Sequence, residues 1–262
     1  MTGNLEEARL KAFWNSRYSS FALSESGWLG GGEKLNRLIY ACKMQALRQS
    51  LDALGHVHDG EFSVLDAGCG QGFFPRFYNE AFPRASYVGI DISERAIDHL
   101  RGSGLKGEFH VAEISKWSHP DGKKFDVVQS FEVMDMILDD QMFTKAVGNL
   151  AGQLAPTGSL LMTAALLDAT FDRGDYIRYR SRKMWLDTLR SFDLHVVSSR
   201  PMYYWLPAGG PANRYWRFAL TKAGVRTLYV LDRAAMAMRV PHVPSSGPDC
   251  RMRLLTVRRV RS

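Results

Sequence analysis

The chain has 262 residues, a length that suits one large α/β domain with a well-buried core. Its composition, 45% hydrophobic and 23% charged, is ordinary for a soluble globular protein and excludes disordered and collagen-like classes. The formal net charge is +7, and no apolar run approaches the roughly 18 residues that a membrane span requires. The N-terminus contains Glu6 and Glu7 and lacks the apolar stretch of a secretory signal, so we expect a cytoplasmic location.

The cysteines, histidines and terminal arginines narrow the choice of partners. Cys42, Cys69 and Cys250 are too few and too scattered for a disulfide framework, and neither they nor the seven histidines show metal-ligand spacing, so we expect no metal. Arginines are concentrated near the end of the chain, at positions 251, 253, 258, 259 and 261. They indicate one of two things. The first is a surface that binds nucleic acid or an anionic polysaccharide, and the second is an edge strand whose charge discourages further pairing.

The N-terminal quarter is predicted to be helical. Residues 6–14 have the pattern of a short helix, and residues 15–29 form a loop rich in serine and aromatic residues that we expect to close over a ligand as a lid. After the glycines at 30–32, apolar residues recur at helical spacing and predict an amphipathic helix over residues 33–54. Residues 1–55 are therefore predicted to form a helical cap.

Residues 56–262 are predicted to form an α/β domain: a Rossmann-like, doubly wound parallel sheet of seven strands with helices on both faces. The predicted strands are 63–66, 86–91, 107–111, 125–131, 159–163, 194–206 and 252–257, and the predicted helices are 74–81, 94–101, 141–154 and 182–191. An insertion over about residues 207–249, helical between residues 215 and 238, precedes the last strand. It caps the binding edge of the sheet or makes a contact in a homo-oligomer.

A glycine-rich turn follows the first predicted strand. Gly68, Gly70 and Gly72 allow a sharp bend and let a ligand approach the backbone, which a Cβ would obstruct. Their spacing differs from the Gly-x-Gly-x-x-Gly pattern of dinucleotide binding, so a nicotinamide cofactor fits less well. Asp91 ends the second strand, where its two oxygens can accept a pair of hydroxyl donors. Alternatively, Asp91 caps the helix that follows.

The segment from Val64 to Phe73 resembles motif I of the class I S-adenosylmethionine-dependent methyltransferases, and the resemblance extends over about residues 63–163. It implies S-adenosylmethionine as cofactor, with Asp91 on the ribose hydroxyls and Asp66 at the ammonium end of the methionine. Glu113 and Ile114 would hold the adenine. The alternatives are a turn-stabilising role for Asp66 and a solvated Glu113. The full set of implied cofactor residues is Asp66, Gly68, Cys69, Gly70, Gly72, Asp91, Ile92, Glu113, Ile114 and Phe131.

The segments 13–18, 25–40 and 132–140 resemble bacterial small-molecule O-methyltransferases, most closely those that act on sugars and polysaccharides. The resemblance implies a hydroxyl acceptor on a sugar or glycoside. One rival hypothesis, an RNA or protein methyltransferase, is favoured by the basic composition. No Asn-Pro-Pro-Tyr motif follows the fourth strand, so we do not expect a nucleic-acid partner. A second rival is a non-catalytic subunit that binds S-adenosylmethionine.

The base for a hydroxyl acceptor is predicted among the acids near the carboxyl edge of the sheet. In such relatives a histidine often stands near the position of Met136, which cannot accept a proton. Asp135 is therefore ranked first as general base or orienting acceptor, Glu132 second and Asp168 third. Aromatic residues are expected to stack on the acceptor, although they could equally be core residues. These candidates are Tyr18, Trp28, Tyr176, Tyr179 and Tyr204.

Overall fold

The computed structural model describes residues 2–27, 32–202, 222–238 and 252–260. The helices are α1 (Thr2–Arg17), α2 (Leu23–Ser26), α3 (Gly32–Ala53), α4 (Phe73–Ala81), α5 (Glu94–Arg101), α6 (Asp140–Gln153), α7 (Arg182–Arg190) and α8 (Lys222–Ala237), with a 3-10 turn at Met134–Met136. The strands are β1 (Ser63–Ala67), β2 (Ser86–Asp91), β3 (Glu108–Val111), β4 (Phe125–Ser130), β5 (Leu154–Ala164), β6 (Phe171–Arg173), β7 (Ile177–Tyr179), β8 (Leu194–Pro201) and β9 (Arg253–Arg259).

Seven strands form the main sheet in the order β3-β2-β1-β4-β5-β9-β8. Strands β1 to β5 pair in parallel, whereas β9 is antiparallel to both β5 and β8. The predicted seven-stranded Rossmann-like sheet is confirmed, but the expectation of parallel strands throughout is wrong for β9. Pro201 at the end of β8 pairs with Arg253 at the start of β9, so the chain leaves and re-enters the sheet at the same edge. A strand that returns from that edge has to run antiparallel.

The sheet is buried between two helical layers. Successive residues of a strand point to opposite faces, so Val64 and Val127 belong to one core cluster and their neighbours Leu65 and Val128 to the other. The first cluster includes residues of α3, α4 and α5, and the second includes residues of α6 and α7. Helix α3 therefore packs directly on the sheet with the rest of the core.

Two short elements of the structure are absent from the sequence prediction. The hairpin of β6 and β7 and the four-residue helix α2 were not predicted, since such short elements show no periodicity. Helix α8 lies within the predicted helical insertion, while residues 203–221 and 239–251 fall outside the described part of the chain. None of the helices in the described ranges is long and apolar enough to cross a membrane.

Candidate active site

An open cleft lies at the carboxyl ends of β1, β2, β3 and β4. Ligands of open α/β sheets bind at this edge, where the strand order reverses between β1 and β4. Helix α1 contributes Leu10 and Trp14 to the wall, Tyr18 follows directly after it, and α3 contributes Tyr40 and Lys43. The cleft is therefore enclosed by the sheet edge on one side and by N-terminal helices on the other.

The glycine turn after β1 forms part of the cleft. Gly68 and Gly70 have φ values of +87° and +55°, in the left-handed region that favours glycine. A Cβ on Gly68 would lie 2.2 Å from Cγ2 of Val133, so no larger residue fits there. The N–H groups of Gly68 and Cys69 donate to the carbonyl of Ile90 at 2.7 and 3.0 Å, which holds the turn against the end of β2.

Asp91 ties the end of β2 to this turn. One of its oxygens accepts from the Gly70 N–H and the other from the Ser93 N–H, both at 2.9 Å. Burial raises the pKa of the Asp91 carboxyl to about 6, although these backbone donors favour its charged form. The side chain that caps α5 is that of Ser93, which accepts from the Ala96 N–H. Asp91 is thus a lining residue of the cleft whose oxygens retain lone pairs for further donors.

The segment after β3 supplies another part of the wall. Glu113 and Ile114 line the cleft together with Ala112 and Ile92. The side chains of Glu113 and Ile114 are buried. The Glu113 carboxylate accepts from the N–H of Ser115 at 2.8 Å and from its hydroxyl. This arrangement places an acidic group beside an apolar side chain, which suits a flat, amine-bearing ring.

Glu132 lies just beyond β4 and faces the cleft. Its φ is +57°, an uncommon conformation for a residue with a side chain, and its N–H donates to the Thr163 hydroxyl at 2.7 Å. The Nζ atom of Lys43 lies 2.5 Å from Oε2 of Glu132, and the two residues are 89 positions apart. The Lys43 side chain is 3% exposed and that of Glu132 is 32% exposed, so the carboxylate is the member of the pair that a ligand can reach.

Helices α1 and α2 are fixed over the cleft. Arg9 donates to the Met136 carbonyl at 3.0 Å, and Glu6 accepts from the Leu138 N–H at 2.8 Å. The amide of Gln71, in the glycine turn, donates to the carbonyl of Ala22 just before α2. These contacts join the N-terminal segment both to the turn after β1 and to the segment after β4.

Comparison with known proteins agrees with this geometry. Residues 64–158 match the family model of a methyltransferase domain. A solved S-adenosylmethionine-dependent methyltransferase from Leishmania major is similar over 97% of this chain and 83% of its own, with a TM-score of 0.65 and 14% identity. The magnesium protoporphyrin IX methyltransferase from Synechocystis PCC 6803, solved with bound S-adenosylhomocysteine, matches 97% of this chain and all of its own, with a TM-score of 0.59 and 13% identity. This is the fold of the S-adenosylmethionine-dependent methyltransferases.

Curated relatives of this methyltransferase fold match part of the chain. A ubiquinone biosynthesis O-methyltransferase from Pelagibacter ubique is 29% identical over 56% of this chain and 51% of its own length. A malonyl-[acyl-carrier protein] O-methyltransferase from Halalkalibacterium halodurans is 26% identical over 50% and 49%. The chain thus spans about half the length of these relatives. Both are O-methyltransferases, and the name of neither one refers to a sugar.

Most of the predicted cofactor residues line the cleft of the methyltransferase fold. They are Gly68, Cys69, Gly70, Asp91, Ile92, Glu113, Ile114 and Phe131. Asp66 and Gly72 are not among the lining residues. Asp66 is fully buried, accepts from the Tyr87 hydroxyl, and has its pKa raised by burial to about 7. Gly72 starts α4 in a left-handed conformation, where a Cβ would lie 2.7 Å from Leu100 Cδ2, so its role is in packing.

The structure does not bring Asp135 to the cleft. Its carboxyl lies in the 3-10 turn, 4% exposed, and neither oxygen accepts a hydrogen bond from the described residues. Burial raises the pKa of Asp135 to about 8, opposed by the nearby Arg180. Arg180 is itself fully buried and donates to the Met134 and Ile137 carbonyls and to Asp140. The predicted first choice of base therefore faces a buried arginine, and Glu132 occupies the cleft.

The other predicted acceptor residues are dispersed. Asp168 is exposed beyond β5 and is not a lining residue, Tyr176 stacks on Phe13 with centroids 6.1 Å apart, and Tyr179 is buried in the core. Tyr18 does line the cleft, whereas Trp28 and Tyr204 lie outside the described residues. The sequence-based candidates omitted further lining residues that the folded chain adds, namely Trp14, Tyr40, Lys43, Phe73 and Phe74. Lys43 had a detectable signal, because it lies on the apolar face of α3, four residues from Ile39.

The terminal arginines belong to an interior strand. β9 pairs with β5 on one side and β8 on the other, so the interpretation of this segment as an edge strand is wrong. The guanidinium of Arg253 donates a hydrogen bond to Ser199. Arg258 donates to the Ser159 hydroxyl at 2.9 Å, and Arg259 donates to the Ala151 carbonyl at 2.7 Å. Each therefore has a partner within the protein. Arg251 and Arg261 lie outside the described residues.

Proposed function

We propose that this chain is an S-adenosylmethionine-dependent methyltransferase that methylates a hydroxyl of a small molecule. The observation that carries the proposal is the meeting of three groups in one cleft: the glycine turn after β1, Asp91 after β2 and Glu132 after β4. A glycine turn lets a ligand approach the backbone, and Asp91 can accept two hydroxyls. The match of residues 64–158 to a methyltransferase domain supports the same activity.

The residues present fit this cofactor. S-adenosylmethionine supplies a methyl group activated by its bond to a positively charged sulfur. Asp91 would accept the ribose hydroxyls, and Glu113 with Ile114 would hold the adenine. Gly68 and Gly70 carry no Cβ, so the turn backbone can lie against the cleft while the side chains of Val133 and Tyr18 pack closely on it. Methyl transfer from a sulfonium gains much of its acceleration from proximity and orientation, so a cleft with few polar groups is sufficient.

The acceptor side of the cleft has aromatic walls with one polar pair. Trp14, Tyr18, Tyr40 and Phe73 supply ring surfaces, and Glu132 supplies an accessible carboxylate. Rings of this kind stack on planar acceptors and on the apolar faces of sugars. A sugar or glycoside hydroxyl is the acceptor that the sequence resemblance favours, and phenols are the natural comparison because curated relatives act in ubiquinone biosynthesis.

Binding and turnover test the proposal directly. Calorimetry with S-adenosylmethionine and S-adenosylhomocysteine is expected to give micromolar affinity, about −8 kcal/mol. Methyl transfer is then measured on a panel of simple glycosides and phenols, with RNA and a basic protein as comparison acceptors. Heat from neither cofactor would refute the assignment. Cofactor binding without turnover on any acceptor would favour a non-catalytic subunit. Turnover confined to RNA or protein would favour an RNA or protein methyltransferase.

A further inference from the structure

Lys43 is a buried cation in the cleft wall. Its ammonium lies 2.5 Å from Oε2 of Glu132 and 4.3 Å from the centroid of the Tyr40 ring. Burial alone would lower the pKa of Lys43, but the Glu132 carboxylate reverses this and raises it, so the side chain remains an ammonium. Burying a charge is costly unless it is paired, which makes the Glu132 carboxylate a required partner of Lys43.

The Glu132 carboxylate is fixed from two directions. Its backbone is held in a left-handed conformation by the Thr163 hydroxyl, and strained positions of this kind cluster at functional sites. Its Oε2 atom accepts from Lys43, while Oε1 accepts no hydrogen bond from the described part of the chain. The side chain is partly exposed in the cleft, so Oε1 can accept from a bound molecule.

We propose that Lys43 is a positioning residue for methyl transfer, whose ion pair orients the Glu132 carboxylate so that Oε1 takes the proton of the acceptor hydroxyl. This inference rests on the proposed function. The acceptor oxygen forms a bond to the methyl carbon, the methyl–sulfur bond breaks and its electron pair passes to sulfur, and the hydroxyl proton moves to Glu132. The positive sulfonium and negative carboxylate become a neutral thioether and a neutral carboxylic acid, so the charge balances.

Of the titratable groups near Glu132, Lys43 is charged at pH 7, whereas Tyr40 and Asp135 are mostly neutral. The Tyr40 phenol on α3 acts on Glu132, and burial raises the pKa of that phenol, so it is neutral at pH 7. Asp135, after β4, also acts on Glu132, and with a pKa of about 8 it is mostly neutral at pH 7. The ammonium of Lys43 is therefore the full charge in direct contact with the Glu132 carboxylate.

The test compares Lys43→Met, Lys43→Arg and Glu132→Gln with Lys34→Met, a change at an exposed lysine of the same helix. The carboxyl pKa of Glu132 is measured by carbon-13 NMR, with its signal assigned by its absence in Glu132→Gln. Lys43→Met is expected to raise this pKa, because it removes the adjacent positive charge, and Lys43→Arg is expected to change it less. Lys34→Met is expected to leave it unchanged.

Kinetics provide the second readout. On an alcohol acceptor, Lys43→Met is expected to lower kcat about 10- to 100-fold with unchanged affinity for S-adenosylhomocysteine, and to move the acid limb of the pH profile upward. Lys43→Arg is expected to restore most of kcat. With 4-nitrophenol, whose hydroxyl ionises without a base at pH 8, Lys43→Met is expected to lose little.

The outcomes separate this inference from the proposed function. A wild-type chain that binds no S-adenosylhomocysteine refutes the function, whereas the Glu132 pKa still reports on the ion pair. Normal turnover and an unmoved acid limb in Lys43→Met overturn the inference and leave the function standing. If Lys43→Met does not fold, the neutral pair Lys43→Met/Glu132→Gln is compared with Glu132→Gln alone. Equal kcat values support action through Glu132, and a lower kcat in the double variant overturns it.

Discussion

Replacing Asp135 with asparagine tests the assignment of the acids that follow β4. The Asp135 carboxyl is buried in the 3-10 turn, and its pKa is raised to about 8, chiefly by burial. At pH 7 it is therefore mostly protonated in the folded chain, whereas in the unfolded chain it is ionised. Asparagine has nearly the same shape and no charge to bury, so the variant removes this penalty while it keeps the packing.

The magnitude follows from proton binding. Between pH 3.8, the ordinary pKa of this carboxyl, and about 8, the folded chain holds one more proton than the unfolded chain. The unfolding free energy consequently falls as pH rises, by about 1.4 kcal/mol per pH unit. The contribution of Asp135 is complete below pH 3.8 and is lost as pH passes its folded pKa. From pH 5 to 7 the loss is about 2.7 kcal/mol, and Asp135→Asn does not undergo it.

Urea unfolding of both proteins at pH 5 and pH 7 measures the effect. Asp66 and Asp91 also have raised pKa values. They titrate alike in the wild type and in Asp135→Asn, so their contributions cancel in the difference between the two unfolding free energies. Arg180 keeps its bonds to Asp140 and to backbone carbonyls in the variant. We expect Asp135→Asn to gain about 2 to 3 kcal/mol relative to the wild type between pH 5 and 7, with turnover changed less than about threefold.

Two results would refute this reasoning. A stability difference independent of pH would mean that the Asp135 carboxyl is ionised in the folded chain at pH 5. A loss of about 100-fold or more in turnover, with normal binding of S-adenosylhomocysteine, would return the base role to Asp135 and remove it from Glu132.

The remaining predictions concern the turn, Asp91 and the C-terminal strand. Asp91→Ala is expected to weaken S-adenosylhomocysteine binding by about 1.5 to 3 kcal/mol in calorimetry, and equal affinity would exclude a ligand contact. Gly68→Ala is expected to destabilise the fold by about 2 kcal/mol or more in urea, because of its positive φ and the contact with Val133. Gly152→Ala, at an exposed position of α6, should be neutral or stabilising. Binding of RNA should be weaker than micromolar at physiological salt, since the described β9 arginines bond within the protein, and a submicromolar, salt-dependent association would contradict this.

The residues proposed to hold the cofactor could be predicted as neighbours because local sequence sets their positions. Gly68 and Gly70 follow a buried strand within three residues, and Asp91 ends the next strand along the chain. The carboxyl ends of parallel neighbours meet at one edge of a sheet, so local strand assignments suffice to bring these residues together. Glu113, which the resemblance to methyltransferases implies, follows β3 at the same edge.

The acceptor side could not be predicted in the same way. The partner of Glu132 is Lys43, 89 residues earlier, and nothing near either residue indicates the other. Asp135 is ranked above Glu132 by sequence because it lies next to Met136, where relatives often carry a histidine. The orientation of its carboxyl depends on the 3-10 turn and on Arg180, a residue 45 positions later, in contacts that exist only in the folded chain.

The division between these two sides bears on acceptor specificity. The family match covers residues 64–158, which contain the glycine turn, Asp91, Glu113 and Glu132. The opposite wall comes from α1, α2 and α3, and these helices lie outside that match. The Lys43–Glu132 pair connects the two, so a relative that shares only the matched segment can share the cofactor contacts and still present a different surface to its acceptor. The acceptor of this chain is therefore better sought through variants of α1 and α3 than by transfer from relatives matched over half their length.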